Sequence, residues 1–535
     1  MATLGGRRRP QVPSPSEVVI PAPPLRLGEL VATLALAQDN AFGQPLESQL
    51  RLCLLAGWLG DAAGLDGELR ATTYWVALLR YIGCTGHTHE VASVFGDDIA
   101  IRAQTLVHDA GDPAAVMRDV LAFATVAHPP EEHDAVVAAI TAGAHDWAVL
   151  NFTSGCEAGD LLVARLGMSD DVRRALAHTF ERWSGTGFPN GVAGEAIPLA
   201  MRIVHLTHDV EAIARRLSPQ AALDAVRDRR GRTYDPALAD LFLAHCDEWL
   251  RRLAKVEPWD AVLEAEPAPH RILVDADLAA ALLVVADFVD VKSPYAVGHT
   301  RRCADLVAEA ARLVGLNEPT IADARRAALV HELGTTAISN AILDKPSALT
   351  RAERDRVETH TLLTEQMLRR SAALRALSPV ASAHHERADG SGYHRGLRAD
   401  AVPPAAAVLE AAEVYVGITT DRADRPGSST ESAAAELRRL SKDRALVHDA
   451  AEAVLAAAGH EPRRAPRAQN PAGLTDREIE VLRLAARGLT VNQIGETLFL
   501  STKTVDHHIQ HVYAKIGVST RAAATLWGVQ NGVVG

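Results

Sequence analysis

Cysteine, aromatic residues and long apolar runs are all scarce in this 535-residue sequence. The cysteines are odd in number, widely spaced and free of any CxxC pair, which argues against a disulfide framework and fits reduced thiols in a cytoplasm. They are Cys53, Cys84, Cys156, Cys246 and Cys303. Aromatic residues make up 4% of the chain, while alanine and leucine are abundant, which favours helix over sheet. We therefore expect an all-α protein.

No segment has the composition of a signal peptide or a membrane span. Even the run "AALLVVADFV" soon reaches Asp290 and Lys292, well short of the roughly 18 apolar residues that cross a bilayer. Residues 1–24 carry three arginines and are then broken by prolines, so we expect a disordered tail. The formal net charge of −12 disfavours adhesion of the whole molecule to membranes or nucleic acid. We expect a soluble cytoplasmic protein, without membrane contact, in which any DNA contact is local.

Internal similarity divides the chain, which is too long for one core. Residues 48–83 align without a gap on residues 299–334, at an offset of 251. Residues 185–198 align on residues 390–403 at an offset of 205, and a third match pairs "TYDPALADLFLAHC" with "LVHDAAEAVLAAAG". Three matches in the same order indicate a duplication. We place a first copy at 25–255, a second copy at 270–460, a linker rich in proline and arginine at 461–472, and a C-terminal domain at 473–535.

The C-terminal domain has the spacing of a helix-turn-helix. Two capping boxes begin short helices, one from Thr475 to Glu478 and one from Thr490 to Gln493. Glycines stand where helices should end, at Gly488 and Gly517. A third helix begins near Ser501 or Thr502, and a buried stripe follows the i, i+4, i+7, i+11 pattern: Val505, Ile509, Val512 and Ile516. Its opposite face is polar and suits a DNA groove: Lys503, His507, Gln510 and Ala514, with His511 beside them.

These residues closely resemble the LuxR-type DNA-binding domain, through "LTDREIEVL", "STKTVDHH" and "KIGV". The resemblance implies that the third helix enters the major groove of double-stranded DNA and that a fourth helix, Arg521 to about Gln530, pairs two domains in a homodimer. The implied DNA-contacting residues are Lys503, Thr504, His507, His508, Gln510, His511 and Lys515. For an arbitrary amphipathic helix a polar face is more often only solvated, but the complete motif favours a reading face. Residues 471–535 carry six Lys or Arg against five Asp or Glu, so we expect weak binding by a single domain.

The second copy carries five imidazoles and two carboxylates in a spaced series. The candidate metal ligands are His299, His331, Glu332, His360, His384, His385 and Glu413. Hydrolysis of a phosphodiester at a two-metal centre needs ligands of these kinds converging from different helices, with one carboxylate able to bridge. A lone histidine on an apolar helix is more often a core or surface residue. The complete series favours ligation.

Residues 270–460 resemble the HD-GYP family, through "HELGTT", "ILDKPSALT" and "SAHHERADGSGY". That family consists of all-helical, metal-dependent phosphodiesterases that open cyclic di-GMP. The resemblance implies that the seven residues of the series bind a divalent metal, Fe, Mn or Mg, in residues 270–460 only. It also implies that Glu332 is the catalytic, metal-bridging carboxylate.

Four departures from the family pattern weaken the expectation of turnover. Glu332 and Glu413 stand where the family has aspartates, and the extra methylene of Glu332 shifts its carboxylate by about 1.5 Å against metal–oxygen distances of about 2.0–2.2 Å. Thr335 replaces a lysine, which removes a cation for the substrate phosphate. His394 replaces a proline. We expect a site that still takes up metal and has lost much of its turnover.

The first copy lacks the ligand series. At the corresponding positions it has Ser48, Arg80-Tyr81, Thr179-Phe180 and His208. Arginine and phenylalanine cannot ligate a hard divalent cation. We interpret this copy as an HD-GYP-like domain kept for packing or dimerisation, and we assign it no chemistry.

Two interpretations of function follow. In the first, the chain is a DNA-binding transcriptional regulator whose tandem HD-GYP-like region senses a ligand, such as a nucleotide, or sets the dimer. In the second, it is an active metal-dependent phosphohydrolase for cyclic dinucleotides with a DNA-binding tail. A third arrangement, in which both copies are scaffolds controlled by a partner protein, stays open. The sequence does not indicate the promoter, the direction of regulation or the ligand.

Overall fold

The computed structural model describes residues 23–109, 112–459 and 470–534. It is 68% helical, and the one sheet found within those ranges has two strands. The all-α prediction is therefore confirmed. The predicted tail, except for its last two residues, and most of the predicted linker lie outside the described residues. All five cysteines are free thiols, as expected.

Twelve helices precede residue 270 among the described residues. They are α1 (Leu27–Ala41), α2 (Ser48–Ala62), α3 (Gly67–Leu79), α4 (Thr88–Phe95), α5 (Asp98–Thr105), α6 (Pro113–Ala127), α7 (His133–Arg165), α8 (Asp170–Leu176), α9 (Leu199–Arg216), α10 (Pro219–Arg229), α11 (Pro236–Leu253) and α12 (Pro258–Glu264). The short strands are β1 (Leu25–Arg26) and β2 (Ile272–Leu273). Short 3-10 helices cover Cys84–His87, Pro130–Glu132, Gly194–Ala196, Leu333–Ala337, Leu374–Ala376 and Pro471–Gly473.

The second copy and the C-terminal domain supply the remaining helices. The second copy has α13 (Asp275–Asp290), α14 (His299–Leu313), α15 (Glu318–Ala328), α16 (Asn340–Leu343), α17 (Arg351–Leu368), α18 (Ser378–Ala381), α19 (Pro404–Thr419), α20 (Thr430–Lys442) and α21 (His448–Ala458). The C-terminal domain has α22 (Asp476–Ala486), α23 (Val491–Leu498), α24 (Thr502–Ile516) and α25 (Arg521–Gln530). Side-chain caps begin many of them, including Asp66 on α3 and a capping box from Thr350 to Glu353 on α17.

The two copies pack against each other through equivalent elements. Strands β1 and β2, each at the start of its copy, pair antiparallel. Helix α1 packs against the 3-10 helix Leu333–Ala337, and α13 packs against the equivalent 3-10 helix Cys84–His87, where Thr85 Oγ1 donates to the carbonyl of Phe288 at 3.0 Å. One apolar core runs through both copies. The duplicated halves therefore form one folded body.

A glycine at the same place in each copy lets a helix approach closely. A Cβ on Gly334 would lie 1.9 Å from the carbonyl oxygen of His360, and a Cβ on Gly83 would lie 1.9 Å from that of Gly155. Both distances are too short for any side chain, so only glycine fits. Gly83 and Gly334 are 251 residues apart, and Gly155 and His360 are 205 apart. The structure thus makes the end of α7 the counterpart of α17, and it places Gly155 where the second copy has a histidine.

A buried ion-pair cluster joins the copies. The carboxylate of Asp287 on α13, whose side chain is fully buried, pairs with Arg165 at the end of α7 and with Arg301 on α14. The Nε of Arg301 donates to Asp287 Oδ1 at 2.7 Å. Since α7 belongs to the first copy and α13 and α14 to the second, this carboxylate fixes their mutual position.

The sequence predicts that no segment could span a bilayer, and helix α7 is an exception to this prediction. By length and composition alone, Pro130–Arg165 is long and apolar enough, and 6% of its most apolar window is buried. The end of the helix is nevertheless part of the fold, with Asn151, Ser154, Ala158 and Leu162 buried. We therefore describe α7 as a helix packed by its C-terminal half.

Candidate metal centre and DNA-reading surface

Seven residues predicted as metal ligands lie on five segments of the second copy. His299 is the first residue of α14, where Gly298 caps the helix in the left-handed conformation. His331 and Glu332 lie in the turn that follows α15, His360 lies on α17, and His384 and His385 lie in the turn after α18. Glu413 lies on α19, where its side chain is buried. The structure brings all seven together as two neighbouring groups.

The first group, called pocket A, consists of His299, Cys303, His331 and Glu413, whose ligand atoms all lie within 4.8 Å of one another. Glu413 Oε2 is its hub. It lies 2.8 Å from Nε2 of His299, 3.3 Å from Nε2 of His331 and 3.5 Å from Sγ of Cys303. Cys303, His331 and Glu413 are buried, and the His299 side chain is 12% exposed.

The second group, called pocket B, consists of Glu332, His360, His384 and His385, again with ligand atoms within 4.8 Å of one another. Oε1 of Glu332 lies 3.5 Å from Nε2 of His384 and 3.8 Å from Nε2 of His360. The ring of His384 is fully covered, while the Glu332 side chain is 14% exposed. Pocket B is therefore reached from solvent on the Glu332 side.

The Glu332 carboxylate also faces pocket A, since its Oε1 lies 3.6 Å from Nε2 of His331. The sequence predicts that the extra methylene moves this carboxylate away from a bridging position. In the structure the turn after α15 holds Glu332 between the two pockets, within 4 Å of three imidazole nitrogens. The position of this side chain therefore suits a carboxylate shared by two cations.

Backbone carbonyls orient three of the rings. Nδ1 of His331, His360 and His384 contacts the carbonyl oxygens of Ala328, Val357 and Ala381, at 2.7, 2.6 and 2.6 Å respectively. A carbonyl only accepts, so each Nδ1 carries a proton and each Nε2 points inward. Nε2 of His331 faces the Glu413 carboxylate, whereas Nε2 of His360 and of His384 face each other. The inward Nε2 atoms of His360 and His384 are 2.9 Å apart. Two facing lone pairs at that distance repel unless a proton or a metal cation lies between them, so the residues fit a bound metal.

The charges in the centre reinforce this fit. Burial opposes ionisation of Glu332 and Glu413, but the surrounding imidazoles hold the pKa of both carboxyls well below its usual range. Burial likewise opposes protonation of His331, but its hydrogen bond to Glu413 and the charge of Glu332 raise the pKa of His331 to about 9. Without a cation, protons neutralise pocket A. A metal that binds there displaces them.

The remaining departures from the family pattern have local explanations. Oγ1 of Thr335 donates to the backbone carbonyl of Glu332 at 2.6 Å, which fixes the turn but adds no charge. His394 contacts α17 through Thr361 Oγ1 at 3.1 Å and Glu365 Oε2 at 2.9 Å. His394 is therefore tied to the scaffold and belongs to neither pocket.

Sequence reasoning missed Cys303 as a member of the centre. It lies on α14, four residues after His299, and Sγ is 3.7 Å from Nε2 of His299. The i, i+4 spacing of His299 and Cys303 could have indicated this, because it puts both side chains on one face of the helix. The family pattern gave no reason to search for a thiol there.

Among the described residues of the first copy, no comparable set of candidate ligands comes together. Tyr81 occupies the position that corresponds to Glu332 in the second copy. It stacks on Phe42 with ring centroids 3.9 Å apart, and its hydroxyl lies 2.9 Å from Nε2 of His208. Arg80 is buried next to that ring. Aromatic packing thus fills the space that the ligands occupy in the second copy, in agreement with a copy kept for its fold.

The helices of the C-terminal domain match the predicted pattern. Both capping boxes are formed, at Thr475 with Glu478 and at Thr490 with Gln493. Ser501 caps the third helix, α24, which ends at Gly517 in the left-handed conformation. Val505 and Val512 are buried, and Ile509 and Ile516 are half-buried beside them. The helix-turn-helix is formed.

Most of the predicted DNA-contacting residues lie on the exposed face of α24. Lys503, Thr504, His507, Gln510 and His511 are exposed, and the rings of His507 and His511 lie 4.0 Å apart. His508 is half-buried. Lys515 is exposed, but its ammonium group pairs with Glu478 at 2.6 Å, so it already has an anionic partner. The surface called the reading face consists of Lys503, Thr504, His507, Gln510 and His511.

The C-terminal domain docks on the duplicated body through α25, the helix expected to pair two domains. It packs against α7, and Arg521 at its start pairs with Glu90 on α4. The carboxylate of Glu157 on α7 accepts from the Ser519 amide at 3.1 Å and from Thr520 Oγ1 at 2.9 Å. Glu157 thus places a negative charge at the positive end of α25. The predicted homodimer through α25 stays a prediction.

Residues just ahead of the metal centre also enter this interface. Val297, two residues before His299, is buried in the core of the C-terminal domain with Leu474, Ile479 and Leu482. Arg487 at the end of α22 pairs with Asp421 of the second copy at 3.0 Å. The turn that begins α14 therefore carries a metal-pocket residue on one side and a contact to the C-terminal domain on the other.

Two family models match the chain. The HD domain model matches residues 156–238 and 283–446, one segment in each copy. The model of bacterial regulatory proteins of the luxR family matches residues 472–527. The duplication and the helix-turn-helix that the sequence suggests are both supported by these matches.

The similar proteins are of two kinds. 3'3'-cGAMP-specific phosphodiesterase 3 of Vibrio cholerae is 29% identical over 416 residues, which cover 76% of this chain and 90% of that protein. The cyclic di-GMP phosphodiesterase of Thermotoga maritima is 32% identical, over 27% of this chain and 39% of its own. The transcriptional regulatory protein LiaR of Bacillus subtilis is 44% identical over 61 residues, 11% of this chain and 29% of its own. The crystal structure of a cyclic GMP-AMP-specific phosphodiesterase of Vibrio cholerae superposes with a TM-score of 0.59 at 26% identity, over 82% of this chain and 99% of that one.

Proposed function

Because this chain joins two HD-domain segments to a C-terminal domain of the luxR family, we propose that it is a metal-dependent phosphodiesterase for cyclic dinucleotides that also reads DNA. The observation that carries the enzymatic part is the pair of four-ligand pockets with Glu332 between them. The Vibrio relative that matches most of the chain is named for 3'3'-cGAMP, which supports this substrate class.

Pocket A and pocket B would each hold one divalent cation. When bound, such cations supply Lewis-acid activation of the phosphodiester and of a water molecule. The chain's own residues prepare the centre. The carbonyls of Ala328, Val357 and Ala381 aim the imidazole nitrogens inward, and the burial of pocket A strengthens its electrostatic interactions. Glu332 presents its carboxylate at the solvent side, where a substrate phosphate can approach.

Turnover of cyclic dinucleotides tests the enzymatic part. The full chain, supplied with Mn²⁺ or Fe²⁺, is offered 3'3'-cGAMP and cyclic di-GMP, and linear products are measured. We expect hydrolysis that His384→Ala abolishes, because that ring is a buried part of pocket B. The matched control is His448→Ala, which changes an exposed histidine of the same copy. Uptake of metal without hydrolysis of either dinucleotide overturns the enzymatic proposal.

A second function, regulation of DNA binding by the duplicated body, rests on the docked C-terminal domain. Its core includes Val297, and Glu157 holds the start of α25. The reading face of α24 stays exposed in this arrangement, so the docked state can still meet a groove. If two chains bind one duplex, the spacing between the two DNA half-sites depends on the distance between their α24 helices.

Selection of duplexes from a random pool tests this second function. The full chain should enrich a defined sequence, and its affinity for that duplex should change when metal or a cyclic dinucleotide is added. Enrichment without any response to either addition leaves DNA binding in place and overturns the regulatory role. Failure to enrich any sequence overturns the DNA-reading proposal.

A further inference from the structure

Cys303 is a member of the metal centre that lies outside the predicted ligand series. Its side chain is 0% exposed, with Sγ 3.5 Å from Oε2 of Glu413 and 3.7 Å from Nε2 of His299. All four ligand atoms of pocket A lie within 4.8 Å of one another, so one cation can contact the thiol together with its neighbours. The thiol faces the middle of the ligand set.

Helix α14 determines where the side chain of residue 303 lies, but packing does not require that residue to be a cysteine. It lies one turn after His299, so both side chains leave α14 on the same face. The residue 251 positions earlier, in the copy without ligands, is Leu52, which is 1% exposed. A leucine there packs the equivalent helix, so packing alone does not demand a thiol. The second copy carries a thiol at the position where the other ligands converge.

We propose that Cys303 binds metal as a thiolate and that the two pockets therefore prefer different cations. This proposal extends the proposed function, because it concerns the same centre. Pocket A offers two imidazoles, a carboxylate and a sulfur, whereas pocket B offers three imidazoles and a carboxylate. A thiolate is a softer donor than an imidazole and strengthens the preference for Zn²⁺, Co²⁺ and Fe²⁺ over Mg²⁺ and Mn²⁺, and the thiolate is the one donor type that pocket B lacks. Pocket A selects the softer cation, and pocket B accepts Mn²⁺.

A purely structural role for this thiol makes a different prediction. As a hydrogen-bond donor to Glu413 Oε2, Cys303 would keep its proton when pocket A fills, and its sulfur would give no metal signature. Ligation requires the S–H proton to leave and a sulfur–metal bond to form. The two roles differ in a spectroscopic property that does not depend on turnover.

Cobalt titration distinguishes the two roles. The full chain, freed of metal, is titrated with Co²⁺, and absorbance is followed in the visible and the near ultraviolet. We expect the visible absorbance to rise until two equivalents of Co²⁺ have been added. The thiolate-to-cobalt charge-transfer band in the near ultraviolet should reach its maximum at one equivalent, because one pocket contains the thiol. Cys303→Ser and Cys303→Val should lose that band and keep binding at pocket B. Cys156→Ser, a change of a half-buried cysteine outside the centre, should retain it.

Competition with Zn²⁺ gives a second measurement. Removal of the thiol should weaken the tighter Zn²⁺ site by more than the roughly 10–100-fold that outer-shell partners contribute. Circular dichroism checks that Cys303→Val is folded, which its counterpart Leu52 leads us to expect. Binding of two Co²⁺ ions without a charge-transfer band overturns thiolate ligation and leaves the metal centre standing. Absence of any Co²⁺ uptake overturns the metal-dependent function as well.

Discussion

Asp39 and Asp290 make the same contact in the two copies of the duplication. The carboxylate of Asp39 accepts from the backbone amide of Gln49 at 3.0 Å, and that of Asp290 accepts from the backbone amide of Thr300 at 3.0 Å. Both pairs are related by the offset of 251, and both carboxylates are buried. Each fixes the start of a helix, α2 or α14. The residue at that start is Ser48 in one copy and the candidate ligand His299 in the other, so both copies share the support whether or not that candidate is present.

Restoring a cation at residue 335 should raise turnover. Thr335 is half-buried next to Glu332, and it replaces the lysine that the family pattern has there. A charge-assisted hydrogen bond to a phosphate contributes about 1.5–3 kcal/mol. We therefore expect Thr335→Lys to increase kcat/KM for a cyclic dinucleotide by roughly 10-fold to 150-fold. Thr335→Val, which loses the hydroxyl without adding charge, is the control. A lysine variant no faster than the valine variant would show that no phosphate approaches this side of the centre.

Removing two polar side chains from the reading face should relax DNA specificity. His507 and Gln510 are exposed on α24, and each base contact contributes about 1–3 kcal/mol. The variant His507→Ala/Gln510→Ala should lose about 1–3 kcal/mol of binding free energy per contact on the selected duplex. The affinity is measured by fluorescence anisotropy at fixed salt. Asn531→Ala, an exposed change beyond the end of α25, should bind as the parent does. Unchanged site preference in the double variant would mean that another face of the domain reads DNA.

Removing the Glu157 carboxylate should loosen α25. This side chain accepts from Ser519 and Thr520 across the interface, and no other residue of α7 contacts them by hydrogen bonds among the described residues. We expect Glu157→Ala to raise amide hydrogen exchange across residues 521–530 while α22 and α23 keep their protection. Glu480→Ala is the matched control, because Glu480 pairs with Arg477 inside the C-terminal domain. Equal exchange in the two variants would indicate that apolar packing alone holds the domain in place.

Removing Asp287 should destabilise the body more than removing an exposed aspartate. Its loss leaves Arg165 and Arg301 without their shared anion, and the loss of one partner of a buried ion pair costs about 3–5 kcal/mol. Both guanidinium groups are partly exposed, so we expect the loss of unfolding free energy in Asp287→Ala to lie at the lower end of this range. The loss is measured as a shift of the midpoint of urea unfolding. Asp305→Ala removes an exposed partner of Arg325 and should cost no more than about 1 kcal/mol. Similar midpoints for both variants would contradict a structural role for Asp287.

Glu410 should make stability fall as pH rises. Burial raises the pKa of this carboxyl from its ordinary 4.5 to about 8, although Arg387 opposes the shift. The folded state thus binds more protons than the unfolded state between these values, and the free energy of unfolding decreases with pH across that window. We expect Glu410→Gln to flatten this dependence, by an amount on the order of a few kcal/mol between pH 4.5 and 8. Glu452→Gln, at an exposed ion pair with Arg438, should leave the profile unchanged.

The sequence predicted well which face of α24 is buried and which residues of the second copy converge, because helix faces depend on local spacing and the series follows a family pattern. The stripe from Val505 to Ile516 lies on the inner face of α24, and the seven histidines and carboxylates of the series converge. Contacts between distant segments were not predictable in the same way. Neither the pairing of β1 with β2 nor the seat of α25 on α7 has a local signal, since each depends on which surfaces meet after folding.

The position of Glu332 illustrates the same limit. A residue type and a family pattern suggested a displaced carboxylate, but the turn after α15 places the longer side chain between the pockets. Where a carboxylate lies depends on the backbone that carries it, and a residue pattern does not describe that backbone. Cys303 was missed for a related reason, because a pattern describes the residues that a family shares and omits those that one chain adds.

Val297 lies in the core of the C-terminal domain, and His299 lies in pocket A two residues later. Any shift in the seat of that domain therefore reaches the first ligand of the centre through a single turn. Thermodynamic linkage is reciprocal: if a cation or nucleotide at the centre alters the affinity for a duplex, the duplex alters the affinity for that ligand by the same factor. A promoter would then change how tightly the proposed hydrolase holds its dinucleotide, by the same factor as the dinucleotide changes how tightly the chain holds the promoter.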